Sequence, residues 1–319
     1  MSKYKRIDIQ RVRSISVQSR PSKVHPSHMA KPVRADADFR TFWESLPDVL
    51  KAADLRALID DIDRAAKNKK PVLIMMGAHL IKTGLSPVLI DLMQSGVIHG
   101  IAMNGAGAIH DVELAYFGKT SEDVAAALKT GEFGMAQETA DLLNQTVKQC
   151  HEGTLGFGEV LGRRISKEAP VYAEYSLLGQ AYRMSIPVTV HVAIGTDIVH
   201  QHPNASGADI GEASLRDFHL FCHLVSQIGH GGVVLHFGSA VILPEVFLKA
   251  LTVARNIQGP IEHFVTANFD MIQHYRPRMN VVDRPTRDQG KGYQFTGHHE
   301  IMIPLLAAGI RLKLDKSES

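Results

Sequence analysis

Cysteine and net charge are both scarce in this chain of 319 residues. The 2 cysteines, Cys150 and Cys222, are too few for a disulfide framework at this length, and they favour a reducing compartment. The formal net charge is only +2, so the field of the whole protein gives no reason to expect nucleic acid as a partner. These absences favour small-molecule ligands and a cytoplasmic location.

Long apolar runs are also missing. Nowhere do 18 uncharged apolar residues occur together, as a membrane-spanning helix would need, and no apolar run follows the basic first residues as it would in a secretory signal. We therefore expect no membrane contact. The chain is nevertheless 45% hydrophobic and 21% charged, which is ordinary for a folded domain with a large core.

Residues 1–36 are predicted to form a basic arm ahead of a single domain at 37–314, with a short tail at 315–319. Such a segment could bind RNA or a partner, but a solvated or subunit-wrapping tail is the favoured interpretation in a chain of balanced charge. Its basic residues are Lys3, Lys5, Arg6, Arg11, Arg13, Arg20, Lys23, Lys31 and Arg34.

Buried strands alternate with amphipathic helices along the rest of the chain. This alternation predicts an α/β fold, a Rossmann-like parallel sheet with helices on both faces. Ser214 and Asp217 form a capping-box variant that predicts the start of a long helix. The predicted strands are 71–76, 97–103, 188–194, 231–238, 261–266 and 293–295. The predicted helices are 48–67, 85–93, one after 104–108, 121–128, 135–151, 174–184, one from Ser214, one from Pro244 to about 257, and 300–308.

Five polar or glycine-rich loops follow these predicted strands. Ligands bind beyond the carboxyl ends of parallel strands, so the loops are expected to converge on one site. Small residues let backbone N–H groups approach a pyrophosphate, as dinucleotide sites require, although a plain tight turn is the alternative for residues 104–108. The loops are residues 77–79, 104–111, 195–197, 238–240 and 266–270.

Ionisable side chains in these loops suggest the kind of substrate. Asp197, Glu245 and Asp270 are carboxylates at predicted strand ends, and together they would favour a cation such as a diamine, a guanidine or a polyamine. His110, beside Asp111, is a candidate acid or base. A helix cap is the alternative role for Asp197 and Asp111.

Taken together, the loops resemble those of deoxyhypusine synthase over about residues 70–310. Residues 77–84 (GAHLIKTG) resemble that family's T-S-N-L-I-S-S-G turn, and residues 104–108 (NGAGA) resemble its T-T-A-G-G loop. Residues 195–197 (GTD), 238–242 (GSAVI), 266–270 (TANFD) and 301–306 (IMIPLL) resemble its L-T-D-G, G-G-G-V-V, N-T-A-Q-E-F-D and L-V-F-P-L-L segments in the same order.

The resemblance implies NAD as cofactor and a homotetramer with sites at subunit interfaces. It also implies transfer of an aminobutyl or related aminoalkyl group from spermidine or a similar amine to an amine acceptor, which could be a protein lysine. By this resemblance, the residues expected to hold NAD are Gly77, His79, Asn104, Gly105, Gly107, Thr266 and Asn268. The carboxylates Asp197, Glu245 and Asp270, from their charge alone, are expected to bind the cationic substrate.

The catalytic segments differ from the family pattern. The family's S-W-G-K lysine segment corresponds to residues 284–292 (RPTRDQGKG), where Lys291 is the only candidate to form an imine. Glu245 stands near the position of the family's K-H-H histidine and, with His110, completes the catalytic candidates. Residues 297–299 (GHH) replace a carboxylate with imidazoles.

Two other functions stay open at this stage. His200, His202, His298, His299 and Glu300, with Asp197, include enough nitrogen and oxygen ligands for a metal-dependent hydrolase of a guanidine or amide. Neither an H-E-x-x-H nor a C-x-x-C spacing is present, so the sites predicted here contain no metal. Alternatively, the chain binds NAD or a polyamine without turnover, because the lysine segment is the one that differs most.

Overall fold

The computed structural model describes residues 2–151 and 154–315. Its internal contacts divide the chain into one unit that ends at Ala53 and a second that begins at Asp54. The first unit contains helix α1 (Phe39–Ser45), preceded by short 3-10 turns at Ile9–Arg11, Val17–Ser19 and Pro26–His28. Asp38 caps α1 by accepting a hydrogen bond from the Thr41 amide. The first unit therefore includes α1 as well as the predicted basic arm.

The second unit is built on a sheet of six strands, all parallel, in the order β3-β2-β1-β4-β5-β6. The α/β prediction is confirmed. The strands are β1 (Val72–Met76), β2 (Gly100–Asn104), β3 (Val188–His191), β4 (Val233–Phe237), β5 (Val265–Asp270) and β6 (Lys291–Thr296). The order reverses between β1 and β4, and in a Rossmann-type sheet this switch point opens a crevice at the carboxyl edge.

Helices cover the sheet. On one face, Phe221 and Val225 pack with Leu243 and Phe247 against a core that includes Leu73. The helices are α2 (Leu50–Lys67), α3 (His79–Lys82), α4 (Ser86–Gln94), α5 (Gly105–Phe117), α6 (Val124–Thr130), α7 (Gln137–His151), α8 (Phe157–Glu168), α9 (Leu177–Arg183), α10 (Gly207–Ser226), α11 (Ile242–Gln258), α12 (Arg284–Thr286) and α13 (His299–Asp315). None of the helices in the described ranges is long and apolar enough to cross a membrane.

The predicted helix start at Ser214 is wrong. Helix α10 begins at Gly207, where the Ser206 hydroxyl accepts a hydrogen bond from the Asp209 amide. Ser214 and Asp217 lie inside the helix and face the sheet, where Ser214 Oγ donates to Val190 O and Asp217 accepts from the Val190 amide. Their spacing therefore reflects contact with β3 and not a helix terminus.

Two further differences affect the site. Strand β5 covers Val265–Asp270, whereas the sequence pattern predicted 261–266, so Asn268 lies within the strand. The stretch after β5, for which no helix was predicted, contains a π-helix at Pro277–Asp283 followed by α12. Helix α8 was not predicted, because its first turn follows a glycine and carries few polar start signals.

Candidate functional site

Two glycines, Gly77 and Gly238, lie at the switch point between β1 and β4. The Gly77 amide donates to Phe237 O at 2.9 Å. A Cβ on Gly77 would lie 2.7 Å from Gly238 O, and a Cβ on Gly238, whose φ is +70°, would overlap the ring of His299. A side chain at either position would clash with protein atoms, so glycine at both positions lets the segments after β1 and β4 pack closely.

Imidazole and carboxylate groups surround this opening. His79 begins α3, and its ring centroid lies 5.7 Å from that of His299, whose Nε2 donates to Phe269 O at 2.9 Å. Burial lowers the pKa of His79, and the neighbouring His299 lowers it further. Asp270, the last residue of β5, is buried nearby, and its charge acts in the opposite direction on His79. His79 is therefore a neutral imidazole at pH 7.

Behind the crevice lies a buried polar pair that joins β4 to β5. His236 Nδ1 and Asn268 Oδ1 are 2.6 Å apart, and Asn268 Nδ2 donates to Gln273 Oε1. Burial lowers the pKa of His236 to about 4, so the ring is neutral at pH 7. Because the amide oxygen accepts, the ring proton is on Nδ1, and Nε2 is buried without a hydrogen-bond partner among the described residues.

Thr266 and Asn268, which were expected to hold NAD, are both fully buried within β5. Asn268 is occupied by His236 and Gln273, and Thr266 Oγ1 is enclosed without a partner among the described residues. The structure does not bring these two side chains to a ligand surface. The cause is the position of β5, which continues beyond both residues instead of ending at Thr266.

At the end of β2, residues 104–107 turn directly into α5. The Asn104 side chain caps this helix by accepting from the Gly107 amide at 3.0 Å. Asp197 follows β3 and lies against Gly105, where a Cβ would overlap its carboxylate. Asp197 is only 8% exposed, and burial raises the pKa of its carboxyl group. The two predicted loops therefore do meet, with an acid held at the first turn of α5.

A cavity of about 790 Å³ opens beside this turn. That volume suits a small-molecule ligand. Charged groups in its lining include the carboxylates of Glu113, Glu122, Glu138 and Asp197 and the ammonium groups of Lys82 and Lys119. Apolar and hydroxyl-bearing members of the lining include Ala106, Ile109, Phe117, Thr120, Phe133 and Thr139. Carboxylates outnumber ammonium groups, so the cavity favours a cation.

His110 lines this cavity, and a chain of hydrogen bonds links it to Thr120 and Glu113. Its Nδ1 lies 2.5 Å from Thr120 Oγ1, and the Thr120 hydroxyl donates to Glu113 Oε2. The Thr139 hydroxyl donates to the other oxygen, Oε1, at 2.9 Å. Burial acts to raise the pKa of Glu113, but the nearby His110 and the hydrogen bonds from Thr120 and Thr139 outweigh it and lower the pKa. Glu113 is thus an ionised carboxylate at pH 7.

The sequence prediction missed Glu113 and its two threonine partners. A usable signal was present, because His110 and Glu113 are three residues apart and therefore share one face of α5. The threonines come from other segments, Thr120 from after α5 and Thr139 from α7, so only the fold brings them to Glu113.

Two of the predicted catalytic residues lie elsewhere. Lys291 begins β6 and pairs with Val265, so it lies at the amino edge of the sheet, opposite the crevice, with Nζ 3.2 Å from Asp61 Oδ1. Glu245 is in the first turn of α11, where it is paired with Lys249 and Arg276 and accepts from Asn280 Nδ2 at 2.9 Å. The Lys249 hydrogen bond is the main cause that lowers the pKa of Glu245. This carboxylate is already neutralised by the protein.

Asp111, the neighbour of His110, caps a helix instead. It is fully buried and accepts from the Ser176 hydroxyl at 2.6 Å and from the Leu177 and Leu178 amides at the start of α9. Burial raises the pKa of Asp111 to about 6 despite these bonds.

The residues of the metal hypothesis are not assembled. The described residues contain no group of three or more His, Cys, Asp or Glu side chains placed to hold a metal ion. His200 Nδ1 accepts from the Gly195 amide at 3.1 Å, His202 Nε2 donates to Gly134 O at 2.9 Å, and His299 Nε2 is bonded to Phe269 O.

Comparison with known proteins gives structural neighbours only, since no protein-family model and no curated protein matches the sequence. A conserved protein from Methanococcus maripaludis S2, provisionally assigned as LOR/SDH, matches with a TM-score of 0.53 and 14% identity over 83% of this chain and 71% of that one. Unliganded AgrE matches with a TM-score of 0.53 and 12% identity, over 84% of this chain and 33% of that one. AgrE in complex with ornithine and NAD+ matches with a TM-score of 0.50 and 12% identity, over 83% of this chain and 33% of AgrE.

This chain therefore spans about a third of the length of AgrE. A protein of Entamoeba histolytica provisionally assigned as a deoxyhypusine synthase is also similar, with a TM-score of 0.49 and 10% identity over 86% of this chain and 93% of that one. At these identities the comparisons show a common fold, and the resemblance to deoxyhypusine synthase rests on the loop motifs.

Proposed function

We propose that this chain is an NAD-dependent enzyme that oxidises a carbon–nitrogen bond of a cationic amine. NAD binds across the carboxyl ends of β1 and β4. The observation that carries the proposal is the reversal of strand order between β1 and β4, where Gly77 and Gly238 directly follow the two strands.

The residues at this place fit NAD. Gly77, His79 and Gly238 border the opening, and the 17-residue helix α11 begins just beyond β4 with its N-terminal end at the same edge. A helix N-terminus favours the negative charge of a pyrophosphate. When bound, NAD supplies a hydride acceptor for a carbon attached to nitrogen.

The substrate is assigned from the charge of the neighbouring cavity. Strand β2 lies beside β1 in the sheet, so the cavity at the end of β2 adjoins the proposed cofactor site. Its lining carboxylates outnumber its ammonium groups and would attract a diamine, a polyamine or a basic amino acid. AgrE, which shares this fold over about a third of its length, forms a complex with ornithine and NAD+, and this combination of an amine with NAD supports the proposal.

Within this function, the specific reaction that we propose is aminoalkyl transfer. Once the amine is oxidised, a second amine can capture the imine, and the same NADH can reduce the product, so that the cofactor is regenerated. Spermidine is the donor implied by the resemblance to deoxyhypusine synthase. Capture as an imine on Lys291 is not part of the proposal, because Lys291 lies at the opposite edge of the sheet. Direct transfer to a free amine or to a protein lysine remains.

Oligomerisation at the carboxyl edge is part of the proposal. Apolar side chains are exposed just after the strands and at the start of α13, among them Val241, Met271, Ile272 and Ile301. A second copy of the chain would cover them and complete a site at a subunit interface, in a homotetramer as the resemblance implies. The mass of the native assembly, measured by light scattering, tests this part of the proposal.

Calorimetric titration with NAD tests the cofactor site. Ala78→Asp adds a negative charge beside the switch point at an N-cap position, where aspartate is well tolerated. Gln289→Asp adds the same charge to an exposed loop at the amino edge and serves as the matched control. We expect the wild type and Q289D to bind NAD alike and A78D to bind about tenfold more weakly, which corresponds to about 1.4 kcal/mol.

Absence of NAD binding by the wild type would overturn the proposal. NAD binding with neither NADH formation nor a new amine product, when spermidine, putrescine, ornithine or agmatine is added, would instead identify a binding protein without turnover.

A further inference from the structure

We propose that His110 is the proton acceptor for the substrate amine and that Thr120 and Glu113 position it, so that the amine reacts in the cavity beside α5. This inference rests on the proposed function. It adds the residue that prepares the amine for oxidation and the place where the amine binds.

The hydrogen bonds of Thr120 fix which ring nitrogen of His110 carries the proton. A threonine hydroxyl has one proton, and an ionised carboxylate can only accept. The Thr120 hydroxyl donates to Glu113 Oε2, so its oxygen must accept from His110 Nδ1. A neutral His110 therefore carries its proton on Nδ1 and presents the lone pair of Nε2.

The Glu113 carboxylate is held in a fixed position. Glu113 accepts from two hydroxyl groups, that of Thr120 on one oxygen and that of Thr139 on the other. Thr120 follows α5 and Thr139 belongs to α7, so two different segments hold the carboxylate, and both threonines line the cavity. Glu113 is thus fixed, and it fixes the Thr120 hydroxyl and the orientation of the His110 ring.

A ligand in the cavity can reach Nε2 of His110. The His110 side chain is 17% exposed and lines the cavity, and its Nε2 makes no hydrogen bond to any described residue. An unengaged ring nitrogen beside an acidic cavity is suited to take a proton from a bound ammonium group.

The chemistry balances as follows. The substrate enters as R₂CH–NH₃⁺ and gives one proton to His110 Nε2, which leaves the neutral amine R₂CH–NH₂ and an imidazolium. The nitrogen lone pair then forms a C=N bond while the adjacent C–H bond breaks, and its two electrons leave with the hydrogen as hydride to NAD. The products are R₂C=NH₂⁺ and NADH. The positive charge on His110 is stabilised through Thr120 by the Glu113 carboxylate.

Nitrogen NMR of ¹⁵N-histidine-labelled protein tests the positioning directly and needs no turnover. The His110 signals are assigned by their loss in His110→Gln, and His219→Gln, which changes an exposed histidine on α10, is the matched control. We expect neutral His110 in the wild type to show the Nδ1–H form. Thr120→Val should shift it toward Nε2–H, whereas Thr120→Ser, which keeps the hydroxyl, should preserve Nδ1–H. An Nε2–H form in the wild type would overturn the proposal.

Titration of the same labelled protein with spermidine, putrescine, ornithine and agmatine tests the place of binding. We expect one of them to shift the His110 Nε2 signal. Calorimetric binding that leaves this signal unchanged, or binding of none of the four, would overturn the proposal. With NAD and the amine that binds, H110Q should lower the initial rate of NADH formation about 10²-fold or more, and T120V about tenfold, while H219Q has no effect.

NAD affinity should stay within about twofold of wild type in all these variants, because His110 lies outside the proposed cofactor site. A wild-type rate in H110Q would overturn the role of His110 as proton acceptor. Failure of the wild type to bind NAD would overturn the proposed function alone, since the tautomer and the amine titration are measured without cofactor.

Discussion

The carboxylate of Asp197 lies against the backbone of Gly105, at the point where β2 turns into α5. A Cβ on residue 105 would overlap Asp197 Oδ2, so two loops that are far apart in sequence can meet only because residue 105 is glycine. Asp197 is thereby held, largely buried, at the positive end of a 13-residue helix.

This contact predicts strong coupling between the two positions. Gly105→Ala should destabilise the fold by about 1–3 kcal/mol through overpacking, although alanine normally stabilises a helix. Asp197→Ala removes the obstructing carboxylate, so the double variant should regain most of that loss. Urea unfolding of the two single variants and the double variant measures the coupling, which we expect to be at least about 1 kcal/mol. Additive effects of the two substitutions would contradict the contact.

A buried carboxylate makes the stability depend on pH. Asp217 is fully buried, accepts from the Gly158 and Val190 amides, and has its Oδ1 without a partner among the described residues. Burial raises the pKa of Asp217 to about 7. Because this pKa is above that of the unfolded chain, the folded state holds an extra proton between about pH 4 and pH 7, and its stabilising contribution is lost as pH rises over that range.

Asp217→Asn should therefore flatten the decline of unfolding free energy between about pH 4 and pH 7. The asparagine oxygen can still accept from the two amides, so the variant should fold. Asp288→Asn, at an exposed position, should leave the pH dependence unchanged. Part of the slope should persist in D217N, since the pKa of Asp111 is also raised, to about 6. Equal slopes for D217N and the wild type would show that Asp217 is already ionised at pH 5.

The sequence predicted those features of the fold that leave a pattern of residues within a single strand or helix. Buried apolar runs and helical periodicity predicted the parallel sheet, because side-chain burial in such a sheet leaves a pattern along each element. The strand-end rule likewise brought Gly77, Asn104 and Asp197 to one edge. Asp217 and Ser214 imitate a capping box but face β3, which no local pattern distinguishes.

The site was less predictable, because its residues depend on register and on distant segments. A shift of four residues in the start of β5 moved Asn268 from a strand end into the core. Lys291 was assigned by position in a motif series, yet a strand that begins at Lys291 places it at the amino edge of a parallel sheet. Thr139 reaches Glu113 from another helix, so its role could be found only in the folded chain.

The placement of Lys291 yields the last prediction. Lys291 is largely exposed, and its Nζ lies 3.2 Å from Asp61, which is buried and also bonded to Arg64 and Tyr293. Lys291→Met should thus cost about 1 kcal/mol or less in stability, because Asp61 keeps two partners. NAD affinity and the rate of amine oxidation should be unchanged.

Borohydride added with NAD and spermidine should not label residue 291 in the wild type. A labelled Lys291, or loss of turnover in K291M with NAD binding intact, would show that the covalent route of the resembled family operates here, and would require an assembly in which a second copy brings its amino edge to this site.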